Sequence, residues 1–314
     1  MRWPIAGLCV LALTGCTIAD VTTPPGQDRL VVQGVLRTDR TLQALILYRS
    51  VAASEAPPER GAQVVVTRDD GARFVFNEVS NAACIPDVPS NPGGTLGTCY
   101  ATPAPLGFWV LPGRTYDLEV TTTRGEVARG RTQVPGAFSL VGLPFDARER
   151  ANGVPGEQCR LPSGTVVPVT WTRSSGAWGY ISPLLIFGLS AHAQSGGFTP
   201  PADPLELVGV SVSSSDTTTL LPDEFGVFDR FNLDQDLLRF LQGGLPNGLN
   251  LVLTISAADR NYINGVRGGS FNPSGQVRVS SVVGDGVGVF GSLVPLTARM
   301  TVGGSAAVPL CKGG

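Results

Sequence analysis

The sequence predicts an all-β protein made of two tandem antiparallel β-sandwich domains, with at most one or two short helices. Three observations carry this. Short apolar runs rich in branched residues recur along the chain, separated by Gly, Pro, Asn and Asp turn signals. Where residues alternate they do so with period two: Tyr116, Leu118 and Val120 share one face, Asp117 and Glu119 the other. Long helical periodicity and a βαβ rhythm are both missing, so a parallel sheet is not expected.

The elements follow in order. Leu30–Arg37 and Gln43–Ser50 are the first two strands. Gln63–Thr67 and Arg73–Val79 flank Arg68–Ala72, where Asp70-Gly71 supplies the positive φ of a hairpin turn. Phe108–Leu111 leads into the Pro112-Gly113 turn. Thr115–Val120 is a strand, and Glu126–Val134 is the next, stopped by Pro135. Seven or eight short strands over about 110 residues fit an Ig-like or fibronectin-III-like sandwich. Gly136–Gly156 reads as a linker with a charged patch at Asp146–Arg150.

The second half begins near Cys159. Val166–Thr172, Tyr180–Leu189 and Leu205–Val212 are strands. Phe231–Leu241 has apolar residues at 231, 233, 237, 238 and 241, the spacing of a short amphipathic helix capped by Gly243-Gly244. Leu249–Ala257 is a strand, and Ala258–Val266 is a helical turn or a loop. Gln276–Val283, Gly288–Val294 and Thr297–Val302 return to β.

The chain starts with a short basic end at Arg2 and an apolar run, Ile5–Leu13, too short for a spanning helix. Leu13-Thr14-Gly15-Cys16 follows, and resembles the lipobox of bacterial lipoprotein signal peptides. The resemblance implies cleavage before Cys16 and lipid on that residue. The segments are then 1–15 signal peptide, 16–28 lipidated tether with its Pro24-Pro25 pair, 29–136 first sandwich, 137–157 linker and 158–314 second β domain. Thr17 in place of Asp implies the outer membrane, with the body facing periplasm or cell surface. The mature 299 residues carry 22 basic against 25 acidic side chains, a net −3, and the only lysine is Lys312. No basic footprint for nucleic acid exists. Charged residues are 15%, below the ~25% of soluble domains, while 40 glycines and 25 prolines make the chain turn-rich without reaching disorder.

Cys84, Cys99, Cys159 and Cys311 remain once Cys9 and Cys16 are set aside. An even number outside the cytoplasm points to disulfides. Three pairings are possible. Cys84–Cys99 and Cys159–Cys311 are preferred, one stapling a loop and the other tying the start of the second domain to its end. Zinc lacks CxxC spacing and has one histidine to help.

Further segments resemble the DUF4249 family of envelope lipoproteins, common in Bacteroidota: Asp28–Gly34, Gly61–Val66, Leu111–Leu118, Asn261-Tyr262, Phe271-Asn272-Pro273 and Gly284–Gly291. The loop at 84–99 departs from the family pattern. The family is of unknown function, so the resemblance transfers no catalytic residues. Its members' association with TonB-dependent outer-membrane receptors implies such a partner here.

Chemistry-bearing motifs are sparse. Gly286-x-Gly288-x-x-Gly291 matches a dinucleotide fingerprint, but Ser292–Pro295 after it reads as strand rather than helix, so glycine-rich β turns account for it and no cofactor is expected. A hydrolase triad would need His192, the only histidine, and no Gly-x-Ser-x-Gly elbow is present. Carboxylate pairs Asp69/Asp70, Asp223/Glu224 and Asp234/Asp236 could serve a glycosidase, and Asp229, Asp234 and Asp236 a calcium ion, but no DxDxDG loop frames them. No metal site is expected. Trp109 and Trp171 read as core. Trp178 and Tyr180, in or beside a loop, are the ligand-binding candidates, suited to a glycan or a protein partner. The expectation is a non-enzymatic binding or accessory module; a structural or adhesive surface protein and an envelope hydrolase are the alternatives.

Overall fold

The computed structural model describes residues 28–50, 57–81, 84, 97–102, 107–143, 158–199, 201–211, 213–222, 235–267 and 279–311. The expected signal peptide and tether up to residue 27, residues 144–157 of the expected linker, and Asp223, Glu224, Asp229 and Asp234 lie outside them.

The chain is mostly β. In the first half the strands are β1 (Arg29–Arg37), β2 (Ala44–Ser50), β3 (Gln63–Arg68), β4 (Arg73–Val79), β5 (Thr98–Ala101), β6 (Thr115–Thr121), β7 (Val127–Gln133) and β8 (Leu140–Val141). In the second they are β9 (Gln158–Leu161), β10 (Val167–Trp171), β11 (Gly179–Phe187), β12 (Leu205–Val210), β13 (Thr218–Leu221), β14 (Asn250–Ala258), β15 (Val282–Gly284) and β16 (Gly286–Val302). A 3₁₀ turn at Leu189–His192 runs into α1 (Ala193–Gly196); α2 is Gln235–Gln242 and α3 is Arg260–Arg267.

One long sheet follows the order β12-β11-β14-β16-β1-β2-β5-β4-β3-β6-β7-β15, with β9 joined to β16. It folds over at β4, which pairs both β5 and β3, so β1-β2-β5-β4 faces β3-β6-β7-β15 as a sandwich. In the second half, β12-β11-β14-β16 faces a small sheet, β13-β10-β8. Alternation places Val64, Val66, Tyr116, Leu118 and Val120 inside the first layer pair. Tyr180, Leu184, Ile186, Leu251, Leu253 and Ile255 do the same in the second.

β16 is the seam. Its residues 286–293 pair with β1, while residues 293–301 pair with β14 and 299–302 with β9. Phe290, fully buried, lies in the first-half stretch of the seam strand, its Cβ 3.0 Å from where a side chain on Gly130 of β7 would stand. β15, just before β16 in the sequence, lies along β7 and completes the first sandwich.

Two ladders correct the expectation that parallel pairing would be missing: β1 with β16, and β9 with β16, run parallel. Parallel neighbours normally need a crossover connection of a dozen or more residues. Here most of the chain intervenes, so a local βαβ rhythm is no guide. The sheet is mixed, with antiparallel pairs in the majority.

Two further differences concern β16 and its motif. Pro295 divides the expected strands Gly288–Val294 and Thr297–Val302, yet a single strand runs through it. Pairing with β1 ends at Leu293 and pairing with β9 begins at Arg299, so one side of the strand carries no ladder at Pro295. A missing N–H costs nothing on that side. The glycines of the Gly286-x-Gly288-x-x-Gly291 motif lie within this strand, not in turns. Gly288 has φ 132° against the Val32 backbone, and a side chain on Gly291 would meet the Tyr262 amide at 2.9 Å. They permit close approach of backbone.

The helices match the apolar pattern. α2 buries Leu237 and Leu241, and its end is closed by Gly243 and Gly244 N–H groups donating to the Phe240 and Leu241 carbonyls. Among residues 258–266, left between helix and loop by the sequence, the helix α3 forms. Asp259 caps it, accepting the Tyr262 amide at 2.9 Å.

Both preferred disulfides are present. Cys84–Cys99 closes a 15-residue separation and Cys159–Cys311 one of 152 residues.

Candidate functional site

The aromatic candidates separate. Tyr180 opens β11 with its ring inside, fully buried against Trp171 (centroids 5.2 Å) and Phe138 (5.9 Å). Its hydroxyl accepts the Ser174 amide at 2.9 Å. Trp178, two residues earlier, is 48% exposed, and its backbone N–H donates to the Ala258 carbonyl at 2.8 Å. The Arg260 guanidinium lies 5.2 Å from its ring centre, a cation–π contact occupying one face. The two side chains therefore do not form one surface. Trp109 and Trp171 are buried as read, Trp109 stacking on Phe74 at 3.8 Å.

His192 ends the 3₁₀ turn. Nearby, the Ser190 hydroxyl donates to Asp203 Oδ2 at 2.8 Å. The Gly188 amide and that hydroxyl hold the Asp203 carboxyl below the usual carboxylate range. Ser190 thus serves the carboxylate directly; among the described residues no serine hydroxyl is bonded to the imidazole. Asp69 and Asp70 are engaged in their hairpin. Asp69 accepts from Arg114 at 2.6 Å and Asp70 from Arg68 at 3.0 Å, and Arg68 with the Ala72 amide holds Asp70 at about 2. Asp236 pairs with Arg239 at 2.6 Å. Among the described residues no group of three or more His, Cys, Asp or Glu could hold a metal.

Two buried polar clusters tie elements together. Arg49 of β2, 5% exposed, donates to Asp28 at 2.6 Å and Glu126 at 2.6 Å, with Glu59 at 3.6 Å. This fixes the start of β1 against the turn before β7. Asp259, also 5% exposed, accepts from the Thr132 hydroxyl at 2.7 Å and the Ser292 amide at 3.1 Å. Burial outweighs these donors and raises its carboxyl above the ordinary value. Asn261 Nδ2 donates to the carbonyls of Arg131 at 2.7 Å and Phe290 at 2.9 Å. Helix α3 is thereby pinned across β7 and β16. These groups are internally satisfied and belong to the scaffold.

The feature that sequence reasoning missed is a cleft of about 600 Å³ between the two sheets of the second half, beneath the connection from β12 to β13. Ser182, Gly209, Trp171 and Thr217–Thr219 line it, with Ser211, Ser215 and Asp216 from the connection. Its origin is local. Tyr180, Ser182, Leu184 and Ile186 share the inner face of β11, and Leu205, Leu207 and Gly209 that of β12. Ser182 and Gly209 are direct partners across the ladder. Where the column would continue with leucines, it changes to two small residues and leaves space. That interruption is the signal in the sequence: a serine and a glycine at inward positions of two otherwise apolar strands.

A family model described as "Domain of unknown function (DUF4249)" matches residues 18–174. No curated protein matches the chain. Among solved structures, the chicken CNTN1 FN1-FN3 domains are similar at 14% identity and a TM-score of 0.24, over 75% of this chain and 63% of that one. Trypsin-activated alpha-2-macroglobulin from Escherichia coli is similar at 11% identity and a TM-score of 0.21, over 74% of this chain and 15% of that one. The chain thus spans less than two thirds of either. The family match begins two residues after Cys16 and takes in the Asp28–Gly34, Gly61–Val66 and Leu111–Leu118 segments: the chain belongs to the DUF4249 family.

Proposed function

We propose that this chain is a lipoprotein of the bacterial outer membrane, held by lipid on Cys16, that works by binding rather than catalysis as an accessory to a TonB-dependent receptor. The observation that carries the reading is the use of the cysteines. Cys84, Cys99, Cys159 and Cys311 are consumed in two disulfides, which persist in oxidising compartments. Neither needs Cys16, the residue the lipobox resemblance marks for lipid. Acyl chains contribute ~0.8 kcal/mol per buried CH₂, so two or more give stable anchoring. Anchoring raises the effective concentration of a rigid β body near other envelope proteins.

The test uses cells expressing the full chain with radiolabelled palmitate. Label on the wild type and none on Cys16→Ser is expected, with the variant lost from the outer-membrane fraction. Crosslinking in intact envelopes should recover a barrel protein. Equal labelling of both proteins would overturn the anchor, and recovery of lipid and self alone would overturn the partner.

A further inference from the structure

We propose that the cleft between β11, β12, β10 and β13 is a binding site for a neutral, polyhydroxylated ligand, a saccharide of one or two rings. This rests on reading the chain as a binding module and names the class of ligand.

The volume, about 600 Å³, falls within the ~300–1,000 Å³ of small-molecule sites. The wall is rich in hydroxyls, from Ser182, Thr217 and Thr219 among others. One wall group, on a side chain more than nine-tenths buried, finds no partner in the protein. Trp171 Nε1–H has no acceptor. Buried polar groups are nearly always satisfied, and leaving one unpaired is unfavourable. A ligand carrying both donors and acceptors at close spacing suits such a wall, and vicinal hydroxyls supply them. The charge of the wall agrees. Asp216 is the charged side chain among the residues lining the cleft, and it already accepts the Ser213 amide at 3.0 Å. A wall with no cation gives an anion no counter-charge.

The experiment titrates the full chain in detergent with glucose, galactose, mannose, N-acetylglucosamine and maltose at millimolar concentrations, read by saturation-transfer NMR. Saturable binding of at least one is expected. Ser182→Ala should weaken it about 2- to 12-fold, the loss of one net hydrogen bond. Ser182→Leu continues the apolar column of Leu184 and should abolish binding while the thermal midpoint holds or rises. Trp178→Ala should bind as the wild type does. No saturable sugar, binding that survives Ser182→Leu, loss on Trp178→Ala, or saturable binding of putrescine in place of every sugar would each overturn the proposal. Palmitate labelling and barrel crosslinking do not depend on the cleft, so either reading can fail without the other.

Discussion

Three tyrosines do at the residue scale what periodicity alone does not disclose. Tyr116 donates to the Trp109 carbonyl at 3.0 Å and accepts the Leu111 amide at 2.8 Å, which fastens the Pro112-Gly113 turn to the strand after it. Tyr180 repeats this with Ser174, and Tyr100 holds Glu59 and Ala62. Alternation showed that Tyr116 faces inward; it could not show that the hydroxyl reaches backbone five and seven residues upstream, because that depends on the path of the turn. Tyr116→Phe should keep the packing and lose both bonds, costing about 1–3 kcal/mol in urea unfolding. Asp259 gives a pH signature. Burial raises its carboxyl, so the folded state favours the protonated form. Its contribution is full below the ordinary value of 3.8 and is lost as pH rises through the raised one. In Asp259→Asn that decline should vanish, leaving unfolding free energy flatter as pH rises above about 4 than in the wild type; an unchanged profile would assign the decline elsewhere.

Most elements were legible at their own scale. Arg73–Val79 has the same bounds in sequence and structure, and the Asp70-Gly71 turn forms as its φ requirement dictates, Gly71 at 89°. Such elements are set by two or three neighbouring residues. β5, β8, β9 and β13 were not foreseen, because strands of two to four residues present too few positions for alternation to register. The length of β16 was hidden by Pro295, whose tolerance depends on where β1 ends and β9 begins. The cleft was hidden likewise, since Ser182 and Gly209 are unremarkable until the register sets them opposite each other. The disulfide between β9 and Cys311 spans 152 residues and ties the end of the chain to the start of the second half. Replacing both cysteines by serine should cost about 2–5 kcal/mol, read as a lower denaturant midpoint with β circular dichroism retained at zero denaturant. Removing Cys84 and Cys99, which close a far shorter loop, should cost less.

For the whole molecule, the return of β15 and β16 to the first half joins distant parts of the sequence, and no local pattern records it. That return also sets how the molecule bears load. β1 starts at Arg29, where the chain emerges from residues 16–28, and β16 lies beside it in parallel through eight consecutive residue pairs before running on to Val302. A pull on Arg29 against the far half drives the two strands past each other, so all eight positions resist together. Peeling would break them one at a time. Single-molecule extension between the N-terminus and Val302 should therefore show one high force peak; the same extension between Gln63 and Thr121, partners at one end of the β3–β6 ladder, should open at much lower force. Equal forces would show that the parallel pair is not the clamp. A protein hung from its first residues and gripped at its other end would be strongest along the line on which it is pulled.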